Sequence, residues 1–555
     1  MSDLYELAKK QIRSILAEAE PALADVSGSI DRSKNAQNGD LASNHAMAGA
    51  KALHSAPRAI AENVAARASL DGSWFESVEC AGPGFLNFRF ADRWYADVLA
   101  AIAREGADYG RADERCGKRV MVEFVSANPT GPMTIGNARG GVLGDSMASV
   151  LDRAGWDVWR EFYVNDAGHQ VEMFALSVEA RYIQLLQGED AVEFPDAGYH
   201  GDDIRELARE IYEKDGDKYL SMPAGERRKA FADYGIERNI ARMRADLERY
   251  GIRYNQWFRE TGLHRSGYVA ETIDLLTKAG HTYEKDGQLW LRNTDFGADK
   301  DECMRRADGT WTYYAVDIAY HRNKFVERGF DRVINVWGAD HHGHAIRFAA
   351  TMTCPELGLA GRQLDFLIMQ MVRLVRGGET VKVSKRTGKA LTLADLLDEI
   401  GVDACRYFFN AKPDTHLEFD LDLAVRQDSE NPVYYVQYAH ARICSLMKAL
   451  KADGRLSADG PVDASLLRSE QEHELIKQLA AFPSEIQRAA EDMDPSRINR
   501  YCSETAARFH KFYNACRIRG EAADVAGARL ALCAATGMVL ENALSILGVS
   551  APESM

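Results

Sequence analysis

No two cysteines share a CxxC spacing. All nine stand singly, at positions 80, 116, 303, 354, 405, 444, 502, 516 and 533. That argues against a thiolate zinc centre or a dithiol redox motif, and no structural zinc is expected. An odd, dispersed set fits reduced, mostly buried thiols in a reducing compartment. Long uninterrupted apolar runs are also missing. The most apolar segment, ARLALCAATGMVLENALSIL, carries Arg529 and Glu541, so no membrane span is expected. The N-terminus holds acids from its third residue and lacks the apolar core of a signal peptide, which makes a cytoplasmic location the expectation. Cations are in deficit: 68 Lys and Arg against 83 Asp and Glu leave a net charge of −15. A field of that sign does not draw in nucleic acid, so any RNA contact must use a local basic surface. There is no Walker lysine, no GxGxxG and no repeat period.

What is present is a chain of 555 residues, long enough for three or four domains. Residues 1–115 read as α then β: helical patterns fill the first 70, and FESVECAGPGFLNFRF alternates around a Gly-Pro-Gly turn as a hairpin does. Residues 116–410 read as an open α/β sheet of Rossmann type. Its candidate strands are RVMVEFV, DVWREFYV, DRVINVWG and DFLIMQMVRLV, and a polar helical insertion occupies about 185–260. Residues 411–555 read as an α-helical bundle of four amphipathic segments, the last ending at Gly548.

Two short stretches suggest phosphate chemistry. SANPTGPMTIGN lies between an apolar strand and a long helix, and a helix N-terminus suits a nucleotide phosphate. Gly136 would let a ligand approach the backbone. Far downstream, VKVSKRTGK places Lys382 and Lys385 on either side of Ser384, where two mobile ammonium groups can clamp phosphates whose charge shifts during reaction. Taken singly, the first is more often plain packing and the second plain surface.

Together, and with GDLASNHAM, AGPGFLNFRF, VEFVSANPTGP, EFYVNDAGHQ, DIAYHRNKF, GFDRVINVWGADHHGH, NPVYYVQYAHARI and RFHKFYNACRI in one order, the chain resembles the class I aminoacyl-tRNA synthetases, and within them the arginyl-tRNA synthetases. The resemblance implies an arginine–tRNA ligase: an N-terminal domain that touches tRNA, a Rossmann domain that joins ATP and arginine, and a helical domain that binds the anticodon arm of tRNA(Arg). It implies magnesium accompanying ATP, a monomer, and activation of arginine that depends on bound tRNA. Thr134, Gly136 and Asn137 occupy the family's first signature, usually His-x-Gly-His, so both imidazoles are replaced. Lys382, Ser384 and Lys385 match the second. A neutral hydrogen bond contributes about 0.5–1.5 kcal/mol and one to a charged group about 1.5–3. The replacements therefore predict an attenuated rate, not an abolished one.

By the same resemblance Glu123, Tyr313, Asp317 and Asp340 contact the arginine side chain, and Asn128 holds its α-amino and carboxylate end. The planar guanidinium fork suits carboxylates placed for bidentate contact. The plain alternative is that Glu123 pairs with a structural Arg or Lys and Asp317 caps a helix. For tRNA, Arg497, Arg500, Arg508, Lys511 and Arg519 fall within roughly 100° on one helix, a basic stripe interrupted by Glu504. Tyr435 and Tyr438 nearby read individually as core. Two other readings compete. A glutamyl-type synthetase would need a cationic pocket, which the acids oppose. A catalytically attenuated paralogue that only binds tRNA has the lost histidines in its favour and the retained Lys-x-Ser-Lys against it.

Overall fold

The computed structural model describes residues 3–33, 35–112, 117–381, 391–411, 415–452 and 463–555. They form two compact units, residues 1–113 with 427–555, and residues 114–426.

The central unit is built on five strands: β1 (Arg119–Glu123), β2 (Asp157–Val164), β3 (Gln256–Arg259), β4 (Arg332–Gly338) and β5 (Gln363–Met369). Their order is β5-β4-β1-β2-β3 and every pair is parallel. Strand order reverses between β1 and β4, the crevice where such sheets bind ligands. Val120, Met121 and Val122 of β1 are fully buried, as expected of a strand covered on both faces. Helix α1 (Ile135–Arg153) follows, with 14 of its 19 residues buried. Gly144 is required by contact: a Cβ there would lie 2.1 Å from Cγ of Phe124. The same helix buries Asp145 between Arg406, at 2.5 Å, and Arg160, at 3.0 Å.

Three expectations change here. DFLIMQMVRLV is not one strand. β5 stops at Met369, and Val372–Arg376 joins a separate small sheet with Glu379–Thr380 and Leu417–Asp420. The break has a cause: the buried Arg139 guanidinium donates to the carbonyls of Gln370 (2.7 Å) and Met371 (3.3 Å), taking acceptors a continuous strand would use. The insertion is not wholly helical. Its helices Asp202–Asp215 and Ala224–Arg249 pack on α2 (His169–Gln187), where Glu179 holds Arg227 and Arg228 at 2.6 and 2.7 Å. Its last stretch, QWFR, is the edge strand β3, too short and mixed to show a period of two. The first 70 residues also contain two three-residue strands, Ile30–Arg32 and Leu41–Ser43. They complete a four-stranded antiparallel sheet with the expected hairpin Phe75–Ala81/Phe85–Phe90.

Residues 427–555 hold five α-helices among the described residues: Pro432–Ala452, Glu470–Ala480, Phe482–Glu491, Ser496–Ala515 and Ala523–Leu547. The expected second segment divides before Phe482-Pro483, where the proline ring sits in a first turn and lacks the N–H a continuous helix needs. Helix Ala523–Leu547 is, by length and composition, apolar enough to cross a membrane, yet 72% of its apolar window is buried inside the fold. It ends at Gly548 in the left-handed conformation, φ 63°.

Candidate active site

The first signature is a helix cap. Asn137 N–H donates to Thr134 Oγ1 at 3.4 Å, and Asn137 Oδ1 accepts from the Thr134 N–H and hydroxyl, both at 2.9 Å. This capping box satisfies the N–H groups of Thr134 and Asn137 at the helix start. Gly136 is exposed, and a Cβ built there would meet only Thr134 Oγ1, at 3.7 Å, so a ligand can approach its backbone. Thr134 and Asn137 line a cavity of about 590 Å³ with Asn128 and Met133. Lys382, Ser384 and Lys385 of the second signature lie outside the described residues. Their described neighbour Thr392 bridges to Thr134, and Leu393 N–H donates to the Met133 carbonyl at 3.0 Å. Thr392 caps its own helix through Asp395. The chain segment after the second signature is thus fastened beside the first.

The acids expected to face arginine are distributed unevenly. Glu123 ends β1 and is 7% exposed. Its Oε2 accepts from Lys324 Nζ at 2.5 Å and its Oε1 from the Ser126 hydroxyl at 2.9 Å. The plain alternative, pairing with a structural lysine, therefore describes this side chain as it stands. After Glu123 the backbone turns through left-handed conformations at Val125 (φ 69°) and Ser126 (φ 44°). A β-branched residue rarely adopts such a conformation, and it marks stored strain beside the site.

Asp317 and Tyr313 stand one turn apart on α3 (Tyr313–Arg322). Asp317 Oδ2 lies 3.3 Å from Nε2 of His344, on α4 (His342–Thr351), and the Tyr313 and His344 rings are 5.5 Å apart. Asp317 does not cap the helix; Thr312 does. Tyr313 is 65% exposed and lines a larger cavity, of about 970 Å³, with Gln170, Glu260, Arg265, Arg306 and Trp311. Asn128 donates to Gln170 Oε1 at 2.5 Å, which joins the rims of the two cavities. Asp340 lies in the turn after β4, 76% exposed, paired with its neighbour His341 at 3.3 Å.

Beneath these groups runs a buried polar chain that sequence reasoning missed. Lys324 Nζ reaches Asn335 Oδ1 (3.3 Å) and His321 Nε2 (3.4 Å) as well as Glu123, and sits 4.1 Å from the centre of the Tyr320 ring. His321 Nδ1 donates to the Asp317 carbonyl at 2.9 Å, so its Nε2 accepts, from Asn335 at 2.8 Å. The network joins the end of β1 to the helix that carries Asp317. Burial, then the Lys324 ammonium, hold the His321 pKa well below its usual 6.5. The sign follows: below about pH 6.5 the unfolded chain binds a proton that the folded chain refuses. Stability is therefore full above that pH and falls as pH drops, by up to about 1.4 kcal/mol per pH unit from this group. Urea midpoints of the central unit between pH 7.5 and 5.5 should show that slope, and His321→Gln should flatten it. Equal slopes in the two proteins would assign the pH dependence elsewhere.

Residues 98–425 match the family model for the tRNA synthetases class I (R) catalytic domain. Residues 6–90 match the arginyl tRNA synthetase N terminal domain, and residues 436–555 the DALR anticodon binding domain. An arginine–tRNA ligase of Caldanaerobacter subterraneus is 50% identical over the whole of both chains. One from Ruminiclostridium cellulolyticum is 50% identical over 96% of this chain and 94% of its own.

The chain belongs to the arginyl-tRNA synthetase family.

Its fold agrees with that of Thermus thermophilus arginyl-tRNA synthetase, with a TM-score of 0.75 at 21% identity over 98% of this chain and 100% of that one. Within the synthetase, the basic stripe expected to meet tRNA is largely paired internally. Arg497 meets Asp492 at 2.6 Å and Glu485 at 3.3 Å, Arg500 meets Asp494 at 2.9 Å, and Arg508 meets Glu504 at 3.2 Å. Lys511 is exposed, and Arg519 lies beyond the helix end at Ala515. The tyrosines correct the sequence reading. Neither is core: Tyr438 is 40% exposed and stacks with Tyr434 at 6.1 Å, and Tyr435 is half-buried against His510.

Proposed function

We propose that the chain is an arginine–tRNA ligase that makes arginyl-adenylate and transfers arginine to the terminal ribose of tRNA(Arg). What supports it is the Asp317 carboxylate, held by His344 beside Tyr313, with His344 on the helix that follows β4 of the parallel sheet, in a chain of this family. Asp317, Tyr313, Asp340 and Glu123 receive the guanidinium, and Asn128 the α-amino and carboxylate end. The free α-carboxylate of arginine attacks the α-phosphorus of ATP and pyrophosphate leaves. The 2′-hydroxyl of the terminal adenosine then attacks the adenylate carbonyl and AMP leaves. The open N–H end of α1 at Gly136, with Thr134 and Asn137 around it, faces the nucleotide, and Lys382, Ser384 and Lys385 meet its phosphates. Magnesium would accompany ATP as part of the substrate and would supply charge neutralisation at its phosphates. No covalent enzyme intermediate is needed; positioning and electrostatics lower the barrier.

Residues 1–115 serve as a tRNA-contacting domain, 116–410 as the catalytic domain and 411–555 as the anticodon-binding domain of a cytoplasmic monomer. Arg497, Arg500, Arg508 and Lys511 contact the tRNA backbone, with their present acidic partners exchanged for phosphate. Arginine-dependent ATP–pyrophosphate exchange, run with and without tRNA, tests the whole reading. Exchange that requires arginine and rises with tRNA supports ligase activity with tRNA-dependent activation. Exchange equally fast without tRNA removes the dependence. Absence of exchange in both, with tRNA still bound, leaves only the binding paralogue.

A further inference from the structure

Away from the active-site cavities, three residues of different chemistry converge. His281 Nε2 lies 3.4 Å from Glu356 Oε2, and Cys354 Sγ lies 3.0 Å from the same oxygen. All three ligand atoms fall within 4.8 Å of one another. We infer that His281, Cys354 and Glu356 form a binding site for a zinc-class divalent cation.

The geometry is close to what such an ion needs. Zinc bonds of about 2.3 Å to sulfur, 2.0–2.1 Å to nitrogen and 2.0–2.2 Å to oxygen, set tetrahedrally, space the ligand atoms roughly 3.3–3.6 Å apart. Small side-chain movements bring the trio there. One thiolate, one imidazole and one carboxylate favour zinc over magnesium or calcium, which prefer all-oxygen sites. Three protein ligands leave the fourth position to water.

The backbone holds the ligands before any ion arrives. His281 N–H donates to the Leu276 carbonyl at 3.0 Å, and the His281 carbonyl accepts from Arg292 N–H at 2.8 Å. Cys354 and Glu356 come from one tight turn, closed by Leu357 N–H on the Cys354 carbonyl at 3.2 Å. Cys354 is buried, with fully buried Leu357 beside it in the turn, and Phe296 packs 4.9 Å from His281. The partly exposed imidazole and carboxylate give the ion an entry path. No sequence motif announces the site, because its halves are far apart in the chain.

The site would tie the segment before strand Thr282–Lys285 to the turn after α4, the helix whose His344 contacts Asp317. On binding, the ion displaces the Cys354 thiol proton, which passes to buffer, so about one proton is released per ion.

The test uses the full-length protein, stripped with a chelator and dialysed. Zinc is titrated against a chromophoric competitor, and cobalt(II) is used for spectra. The expected result is one equivalent of zinc held at least tenfold more tightly by the unaltered protein than by His281→Gln or Glu356→Gln. The cobalt form should show a thiolate charge-transfer band that Cys354→Ser removes. His281 and Glu356 are partly exposed, so their variants decide the matter even where Cys354→Ser fails to fold, and circular dichroism melts check each one. Equal zinc affinity in the unaltered protein and both of these variants overturns the site, as does a cobalt spectrum without the thiolate band.

Discussion

Asp317→Asn should lower kcat/KM for arginine by roughly 30- to 150-fold. Truncating one partner of a desolvated charge pair costs about 2–5 kcal/mol. The Asp317 side chain is 25% exposed, so the lower part of that range, about 2–3 kcal/mol, applies, and each 1.36 kcal/mol is tenfold. The guanidinium carries the same charge before and during adenylate formation. The loss should therefore appear in KM for arginine, with kcat and KM for ATP nearly unchanged. Asparagine keeps the shape and can still meet His344, so the melting temperature should hold. Citrulline, which replaces the guanidinium by a neutral urea, should bind the unaltered enzyme about as poorly as arginine binds the variant. Asp340→Asn, at a mostly exposed carboxylate, should cost about 0.2–1 kcal/mol, less than about sixfold. An unchanged arginine KM in Asp317→Asn would move the guanidinium site away from α3.

Much of the central fold is readable because its strands are covered on both faces. RVMVEFV and DRVINVWG appear as continuous apolar runs and form β1 and β4. The failures have physical causes that no local pattern contains. β3 is an edge strand of four residues. The break after β5 is made by Arg139, which arrives from α1. The basic stripe looks open on a single helical wheel because Glu485, Asp492 and Asp494 lie on the preceding helix and turn. At the site, the i,i+3 spacing of Thr134 and Asn137 serves a helix cap as well as a nucleotide. The chain then needs neither imidazole to hold the start of α1. Lys324 was invisible for a different reason. In HRNKF a lysine reads as surface, but the five residues Asn323–Glu327 form a π turn that carries the ammonium inward.

That lysine should prove one of the largest single contributors to the stability of the central unit. Its side chain is 0% exposed and its partner Glu123 is 8% exposed. Lys324→Met keeps the length and removes the charge, leaving a carboxylate buried at the end of β1. Removing one member of a buried ion pair costs about 3–5 kcal/mol. Glu123→Gln strands the lysine instead and should cost a similar amount. The double variant should lose clearly less than the two single losses combined, because neither charge is then left alone. Urea unfolding of all four proteins measures the coupling, and strictly additive losses would dissolve the pair. The same cycle tests whether Glu123 also belongs to the arginine site. A free guanidinium can replace the missing ammonium only if it reaches the carboxylate. Saturating arginine should then raise the melting temperature of Lys324→Met more than that of the unaltered enzyme, and add no such excess once Glu123 is glutamine. An equal rise in Lys324→Met and the unaltered enzyme would confine Glu123 to its lysine, and leave Asp317 as the acid that distinguishes arginine.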